Sequence, residues 1–254
     1  MRRTIIRELA LLAVVLIGNP SWPARAAEIK LMSSVGVKGA IEAVLPDFAR
    51  DSGDKVTAVF ATAAILKARI DGGETFDVAI LNPLQIDDLI RKGKAITRTD
   101  LARAGVGFGI SAASSKPDIA TDEQLKTHLL GVKSLAYGDP TQGGFGGAYF
   151  HKVTVALGIA EALSEKTRFT KPGEGAVLVA NGGAELSVGL SSEIVPVAGV
   201  QFLPLKAEDP TSYINFAATV AIQARNADAA NALLTFLQSN TVKDVFRSQG
   251  LTTR

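Results

Sequence analysis

Four short segments rich in serine, threonine and glycine each follow a strand-like run and precede a helix-like run. They are residues 33–36, 62–64, 141–147 and 191–193. Their hydroxyl and backbone N–H groups could hold a small anion, because a helix N-terminus has unsatisfied donors and a partial positive charge. In parallel α/β sheets such turns lie at the carboxyl ends of the strands, where ligands bind. The pattern indicates an anion-binding site.

Ten residues of these segments are expected to contact the ligand. Serine and threonine are also ordinary helix caps, so one such segment would be weak support. Four of them in one chain favour a binding site over capping alone. The expected contacts are Ser33, Ser34, Gly36, Thr62, Ala63, Thr141, Gly146, Gly147, Ser191 and Ser192.

The glycine-rich segment 141–147 does not match a nucleotide site. It lacks the lysine of a phosphate-binding loop and the glycine spacing of a dinucleotide fold. Close approach of the backbone to a small ligand, or simple turn flexibility, explains the glycines better.

Signatures of catalysis are scarce in this sequence. The chain has two histidines and no cysteine, and it contains neither a Gly-x-Ser-x-Gly elbow nor a paired-histidine metal motif. We therefore expect no catalytic residue, no metal and no cofactor, and the histidines are expected at the surface. Lys38, in the first turn of a helix, could pair with a carboxylate ligand or remain a solvated charge.

The N-terminus has the three parts of an export signal. Arg2, Arg3 and Arg7 precede an apolar run at residues 9–17, and a small-x-small site ends at Ala26. The apolar run is shorter than the roughly 20 residues that span a bilayer. We predict a signal peptide over residues 1–26 and a periplasmic location, with an uncleaved anchor as the alternative.

Charge and composition limit the kinds of partner that the protein is expected to bind. The net charge of the whole chain is only +2, and much of the excess lies in the predicted signal. A nearly neutral mature chain without a basic run is not expected to bind nucleic acid or a membrane surface. We expect a monomer with a small anionic ligand.

Strand and helix patterns alternate along the chain, which favours an α/β fold with mostly parallel, mixed sheets. Pro46 falls inside the first helix and predicts a kink or an early stop. The predicted strands are 29–33, 56–61, 76–81, 106–110, 134–137, 186–190 and 214–222. The predicted helices are 37–50, 64–70, 83–92, 122–132, 147–157, 176–180 and 227–249.

A fresh strand–helix series begins after Gly105, and the run 214–222 resembles a return crossing. We therefore predict two lobes, the first from residues 27–106 plus 214–254 and the second from residues 107–213. Two crossings would form a hinge with a ligand cleft between the lobes. A single continuous sheet is the alternative.

Several stretches together resemble one known family, the periplasmic molybdate-binding proteins of ABC importers, which are type II solute-binding proteins. The resemblance implies two α/β lobes that close on a tetrahedral oxyanion held by serine hydroxyls and N–H groups, with an ABC permease as partner. Where the family has two binding serines and a tyrosine, this chain has Gly36, Ala63 and Leu190. The stretches are residues 28–36, 59–62, 76–80, 135–140 and 245–250.

A divergent branch of that family, which includes bacterial aconitate isomerases, is more similar still. The similarity rests on the Ser-Ser-x-Gly pattern at 33–36 and on residues 88–94 and 192–199. The ligand therefore stays open between a molybdate-like oxyanion and a carboxylate.

Two functions remain open at this point. The first is a periplasmic solute-binding protein that closes on its ligand and delivers it to an ABC importer. The second is an aconitate isomerase-like enzyme, which would need a base and an acid to move a double bond. The acid–base candidates are Glu193, Tyr149, Lys38 and Asp139, and the cations that could approach a tricarboxylate are Arg69 and Arg103.

Overall fold

The computed structural model of the protein describes residues 26–253 except residue 143. The predicted signal peptide therefore lies almost wholly outside the described residues, as does Gly143. Among the described helices, none combines the length and the apolar character that crossing a membrane requires.

The first sheet is built around three parallel strands, with β1 between β2 and β3. Each strand leads through a short turn into a helix, so the three turns lie at the same edge of the sheet. The elements are β1 (Glu28–Ser34), α1 (Lys38–Ser52), β2 (Lys55–Ala61), α2 (Ala63–Asp71), β3 (Val78–Leu81) and α3 (Pro83–Arg91).

The second sheet repeats this arrangement, with the parallel strands β6, β5 and β7 in that order. Its strands again lead into helices at one edge. The elements are α4 (Asp122–Gly131), β5 (Leu135–Gly138), α5 (Phe145–Ala156), α6 (Ala160–Ser164), β6 (Thr167–Thr170), α7 (Glu174–Ala180), β7 (Leu186–Leu190), α8 (Ser191–Ile194) and β8 (Val200–Pro204).

One long strand, β4 (Thr99–Ser111), belongs to both sheets. Its residues 99–105 pair with β9 (Tyr213–Val220), and its residues 106–110 pair with β7, both antiparallel. The chain passes from one sheet to the other within β4 and returns at β9. The division into one lobe of residues 27–106 plus 214–254 and another of residues 107–213 stays a prediction. The remaining elements are α9 (Ala227–Leu237), α10 (Asn240–Ser248) and β10 (Thr252–Thr253).

The α/β fold class with mixed sheets is confirmed, but several predicted boundaries were wrong. Helix α1 continues past Pro46 to Ser52, and Pro46 lies on its exposed face, where water can solvate the carbonyl left without a donor. The predicted last helix is two helices, because Ser239 caps a new start by accepting a bond from the Val242 N–H at 3.3 Å. Strands β6, β8 and β10 were not predicted.

The largest of three apolar clusters among the described residues runs through both sheets. It includes Leu31 and Ile80 of the first sheet, Phe108 of β4 and Leu186 of the second sheet, each at most 1% exposed. The continuous core joins the two sheets, so the carboxyl ends of both strand sets lie near each other.

Asp77, just before β3, joins three parts of the first sheet. Its carboxylate accepts bonds from the Lys30 N–H at 2.7 Å, the Arg225 N–H at 2.8 Å and the Arg225 guanidinium at 3.1 Å. Burial acts to raise the pKa of this carboxyl, but the donors together outweigh burial and hold the pKa below its usual value.

Candidate ligand-binding cavity

A cavity of about 290 Å³ lies where the carboxyl ends of the two parallel strand sets meet. Turns after β1, β2 and β3 form one wall, and turns after β5, β6 and β7 form the other. Its volume is close to the lower end of the range for small-molecule sites, roughly 300–1,000 Å³.

Three helical segments begin at this cavity without a side-chain cap. Their N-cap residues are Ser34, Thr62 and Gly144, and within the described residues no side chain accepts a bond from their first turns. The first-turn N–H groups of a helix need acceptors that the helix itself does not provide. These donors and their partial positive charge are therefore available to an anion in the cavity.

Two polar atoms of the first wall are buried without a partner. The Thr62 hydroxyl oxygen and the Gln85 side-chain oxygen form no hydrogen bond with any described residue. A buried polar group left unpaired costs about 1–3 kcal/mol. A ligand with complementary groups would remove that cost, since the threonine hydroxyl can donate and the glutamine amide can present either its oxygen or its NH₂ group.

Glycines bring the N-terminus of α5 close to the second sheet. A Cβ on Gly146 would lie 3.4 Å from the Cα of Gly189, and a Cβ on Gly147 would overlap the Gly138 carbonyl oxygen. Both glycines line the cavity. Close packing of α5 on the sheet therefore accounts for the glycines at these positions, and it also leaves the helix start facing the cavity.

Two charged residues occur among the lining residues that the structure describes, Glu193 and Lys171. Glu193 accepts a bond from the Leu190 N–H at 3.0 Å. Burial raises the pKa of the Glu193 carboxyl to about 7, and this single backbone bond only partly opposes the effect. Lys171, which is exposed, follows β6.

The rest of the second wall is largely apolar. Val188 and Leu190 of β7 line it together with Ile194 of α8, and Ile214 of β9 completes this side. The first wall thus supplies hydrogen-bond donors, and the part of the second wall around α8 supplies apolar side chains and a carboxyl group. Polar groups of the second wall are the start of α5 and the side chains of Thr170, Lys171 and Ser187.

Six of the ten residues expected to bind the ligand line this cavity, and four lie outside its described lining. The six are Ser34, Gly36, Thr62, Ala63, Gly146 and Gly147. The four are Ser33, Thr141, Ser191 and Ser192.

Each of these four hydroxyls has a partner within the protein. Ser33, which is fully buried, donates to the Ser34 carbonyl at 3.4 Å. The exposed Thr141 donates to the Asp139 carboxylate at 2.7 Å, and its N–H does so at 2.8 Å, which closes a local turn.

Ser191 and Ser192 connect the two sheets near the crossing. The Ser192 hydroxyl donates to the Gly36 carbonyl at 2.6 Å, and the Ser191 hydroxyl accepts from the Gly105 N–H at 3.3 Å. A Cβ on Gly36 would lie 2.8 Å from Leu190, so the two walls are in contact there.

Only one of the four acid–base candidates lies among the described lining residues, namely Glu193. Tyr149 donates to Asp209 at 2.9 Å, Lys38 lies 3.8 Å from Glu42, and Asp139 accepts from Thr141. The expected cations are also engaged elsewhere. Arg69 pairs with Glu74 at 2.6 Å, and the Arg103 guanidinium lies 4.7 Å from the Tyr213 ring centre.

Several lining residues were missed by the sequence analysis, among them Asn82, Gln85, Thr170, Lys171 and Ser187. Asn82 had a usable signal, because an N-cap asparagine before a proline marks a helix start after β3. Thr170 and Lys171 follow β6, a strand that was not predicted. His128 was expected at the surface, but it is partly buried, and its Nε2 is unpaired within the described part of the chain.

Residues 26–253, without residue 143, contain no group of three or more histidine, aspartate or glutamate side chains arranged to hold a metal ion. Two α/β lobes with a cavity at the ends of their parallel strands are the fold of the type II periplasmic binding proteins. The model of one family, described as bacterial extracellular solute-binding protein, matches residues 29–252. The chain belongs to this family.

Two known proteins that are similar to this chain have different functions in their descriptions. An aconitate isomerase from a Pseudomonas species is 24% identical over 96% of this chain and 95% of its own length. The molybdate-binding protein ModA of Escherichia coli strain K12 is 25% identical over 89% of each chain.

A solved structure shows the same fold. The substrate-binding domain of a putative molybdenum ABC transporter from Clostridium difficile superposes with a TM-score of 0.69 at 22% identity, covering 90% of this chain and 100% of that one.

Proposed function

We propose that the protein captures a small anion, an oxyanion or a carboxylate, in the cavity between its two sheets. The observation that carries this proposal is the collection of unpaired donors at one place. Three uncapped helical starts and the unpartnered Thr62 hydroxyl line the same cavity.

The proposed contacts come from both walls. Ser34 and Thr62 supply hydroxyls, Gly36 and Ala63 supply N–H groups from the first wall, and Gly146 and Gly147 supply the start of α5 from the second. Ser33, Thr141, Ser191 and Ser192 are left out of the proposed contacts, because each already has a partner within the protein.

Hinge closure would complete the site. Strands β4 and β9 join the two sheets, and rotation about this crossing would bring the two walls together over the ligand. A ligand that contacts both walls binds the closed form more tightly and shifts the population toward it. Small-angle scattering should show a smaller radius of gyration once the ligand is added.

The proposed role in transport is supported by similar proteins. A similar solved domain is described as part of a putative molybdenum ABC transporter. We infer a monomeric protein in the periplasm that hands its ligand to an ABC permease, with the predicted signal peptide directing export.

A thermal-shift screen tests ligand capture. Molybdate, tungstate, sulfate, and di- and tricarboxylates are the probes, since a ligand that binds only the folded state raises Tm. Thr62→Ala should weaken the best probe about tenfold, because one lost donor costs about 1–3 kcal/mol.

Thr121→Ala is the matched control, since Thr121 caps α4 outside the described lining of the cavity. It should lower Tm but leave the affinity unchanged. If no probe raises Tm, or if both variants bind like the parent protein, this cavity is not the binding site.

A second candidate function is isomerisation of a tricarboxylate such as aconitate. The position of Glu193 favours it, because this is a carboxyl group in the cavity with a pKa of about 7, close to the value that suits a general base near neutral pH. One carboxylate could take a proton from one carbon of the ligand and return it to another, which moves the double bond. The relative described as an aconitate isomerase supports the same reading.

Incubation with cis- or trans-aconitate in D₂O, followed by NMR, tests the enzyme. Turnover with deuterium incorporation that disappears in Glu193→Gln would establish isomerisation. An unchanged isomer ratio, with aconitate still raising Tm, would leave a binding protein without catalysis.

A further inference from the structure

We propose that the ligand is an organic acid, bound with its carboxylate on the first wall and its carbon skeleton against the second, and that Glu193 excludes tetraoxo dianions. This inference rests on the proposed capture of an anion in the same cavity. It names the class of ligand and the residue that selects it.

The two walls differ in what they offer to an oxygen atom. The first wall has the hydroxyls of Ser34 and Thr62 and the free N–H groups of two helical starts. The second wall has the start of α5 and, after β6, Thr170 and the exposed Lys171. Around α8, away from these groups in sequence, it presents Leu190, Ile194 and Glu193.

A tetraoxo dianion does not suit such a cavity. Molybdate and sulfate carry acceptor oxygens in all four directions and so need donors on every side. At the Glu193 side they would meet apolar groups and a carboxyl group, and an acceptor left without a donor costs about 1–3 kcal/mol. An ionised Glu193 would add like-charge repulsion, which is a common basis of specificity.

An organic acid suits a cavity with donors on its first wall and apolar side chains around α8 on its second. Its carboxylate can accept bonds from the first wall while its carbon atoms contact Leu190, Ile194 and Ile214, where water would otherwise cover apolar surface. A second oxygen group on the ligand could share a proton with Glu193, whose other oxygen accepts the Leu190 N–H.

The size of the cavity agrees with this ligand class. One buried water molecule needs about 10–15 Å³ of cavity volume, and this cavity has about 290 Å³. The cavity therefore has room for a chain of several carbon atoms beside the carboxylate, whereas a compact five-atom anion would leave much of it to water.

The charge of Glu193 is set mainly by its own surroundings. Helix α8 packs against β4, β7, β8, α1 and the turn 35–37. Charged side chains on these elements occur on β4 and α1: Asp100, Arg103, Lys38, Glu42, Asp47, Arg50 and Asp51. Burial and the Leu190 N–H, rather than these charges, determine the pKa of Glu193.

The test compares the parent protein with Glu193→Gln, which keeps the size of the side chain and the acceptor for Leu190. Tm and affinity are measured with malate, succinate, butyrate, molybdate and sulfate at about pH 8, where Glu193 is mostly ionised. At least one organic acid should stabilise the parent protein, and molybdate and sulfate should not. The Gln variant should gain at least about tenfold in affinity for both tetraoxo anions.

Different results would overturn different statements. If molybdate or sulfate binds the parent as well as any organic acid and the variant changes nothing, the role of Glu193 is wrong while anion capture stands. If the variant gains sulfate but no organic acid binds the parent, the organic-acid assignment is wrong. If no probe binds either protein, the proposed function itself fails.

A second measurement covers the case in which the variant does not fold. Sulfate remains a dianion across the range from about pH 6 to 8. A change in its affinity for the parent protein would therefore come from titration of the protein and not of the sulfate. Its affinity should rise about tenfold toward the lower pH as Glu193 gains a proton. A flat profile would contradict the exclusion by Glu193.

Discussion

Two threonines at helix starts show how the cavity differs from the rest of the fold. Thr121 caps α4 fully: its side chain accepts from the Gln124 N–H at 3.2 Å, and the Gln124 side chain accepts from the Thr121 N–H at 2.9 Å. Thr62 occupies the same position before α2, yet it caps nothing, and its buried hydroxyl has no partner in the described structure. The same residue type is satisfied at one site and left available at the other.

Two carboxyl groups, on the buried Asp77 and the partly buried Glu193, repeat this contrast. Asp77 accepts three bonds that hold the first sheet together, and its pKa is lowered. Glu193 has the single Leu190 N–H as its described hydrogen-bond partner, and its pKa is raised to about 7. Asp77 is fully paired, whereas the Thr62 hydroxyl and the Gln85 side-chain oxygen at the cavity have no partner among the described residues. Unpaired buried groups are rare in native proteins; of the four among the described residues, those of Thr62 and Gln85 line this cavity, and those of His128 and Thr253 lie outside its described lining.

The largest expected effect is the loss of stability on replacing Asp77. Asp77→Ala removes the acceptor of two backbone N–H groups and should lower the free energy of unfolding by about 3 kcal/mol, since each abandoned buried donor costs about 1–3 kcal/mol. Urea unfolding measures the loss. Glu193→Gln is the matched carboxyl variant and should not destabilise the protein at neutral pH, so equal losses in the two variants would remove the contrast.

The pH dependence of stability should differ in sign between the two carboxyls. Asp77, with a lowered pKa, stabilises the fold above its unfolded pKa and loses that contribution as the pH falls. Glu193, with a raised pKa, stabilises the fold at low pH and loses that contribution as the pH rises from about 4.5 to about 7. Without ligand, Glu193→Gln should therefore gain Tm relative to the parent between these values. A constant difference in Tm across the range would show that the pKa of the Glu193 carboxyl is not raised in the folded protein.

The smallest expected effect is the difference in stability between the Thr121→Ala and Thr62→Ala variants. Thr121→Ala should cost about 1 kcal/mol of stability, the usual value of a lost N-cap. Thr62→Ala removes no cap and should leave stability nearly unchanged or raise it. Thermal unfolding of the two variants without ligand measures the difference, and an equal loss in both would mean that Thr62 caps α2 in solution.

Most of the elements could be predicted from local sequence patterns, but their ends often could not. Periodicity placed β1, β2, α3 and β7 within a few residues, because their apolar positions repeat with the period of the element. The path of α1 past Pro46 and the break at Ser239 depend on which face is solvated and on a single cap, which periodicity does not report.

The sequence could predict those residues of the candidate site that directly follow a predicted strand. Ser34, Gly36, Thr62 and Ala63 follow strands that the sequence indicates, and they do line the cavity. Ser192 has the same local pattern, yet its hydroxyl bonds to Gly36, which lies 156 residues away in sequence. No local pattern separates a hydroxyl that faces a cavity from one that joins two sheets.

The sequence by itself determined the fold class and the turns at which donors could gather, since strand, turn and helix preferences act over a few neighbouring residues. Only the tertiary structure decided which donors remain unpaired. That outcome depends on contacts between distant parts of the chain, such as those of Glu193 with its apolar neighbours and of Ser192 with Gly36. Burial and pairing set the charge of a carboxyl and the availability of a hydroxyl, and both are properties of the packed molecule.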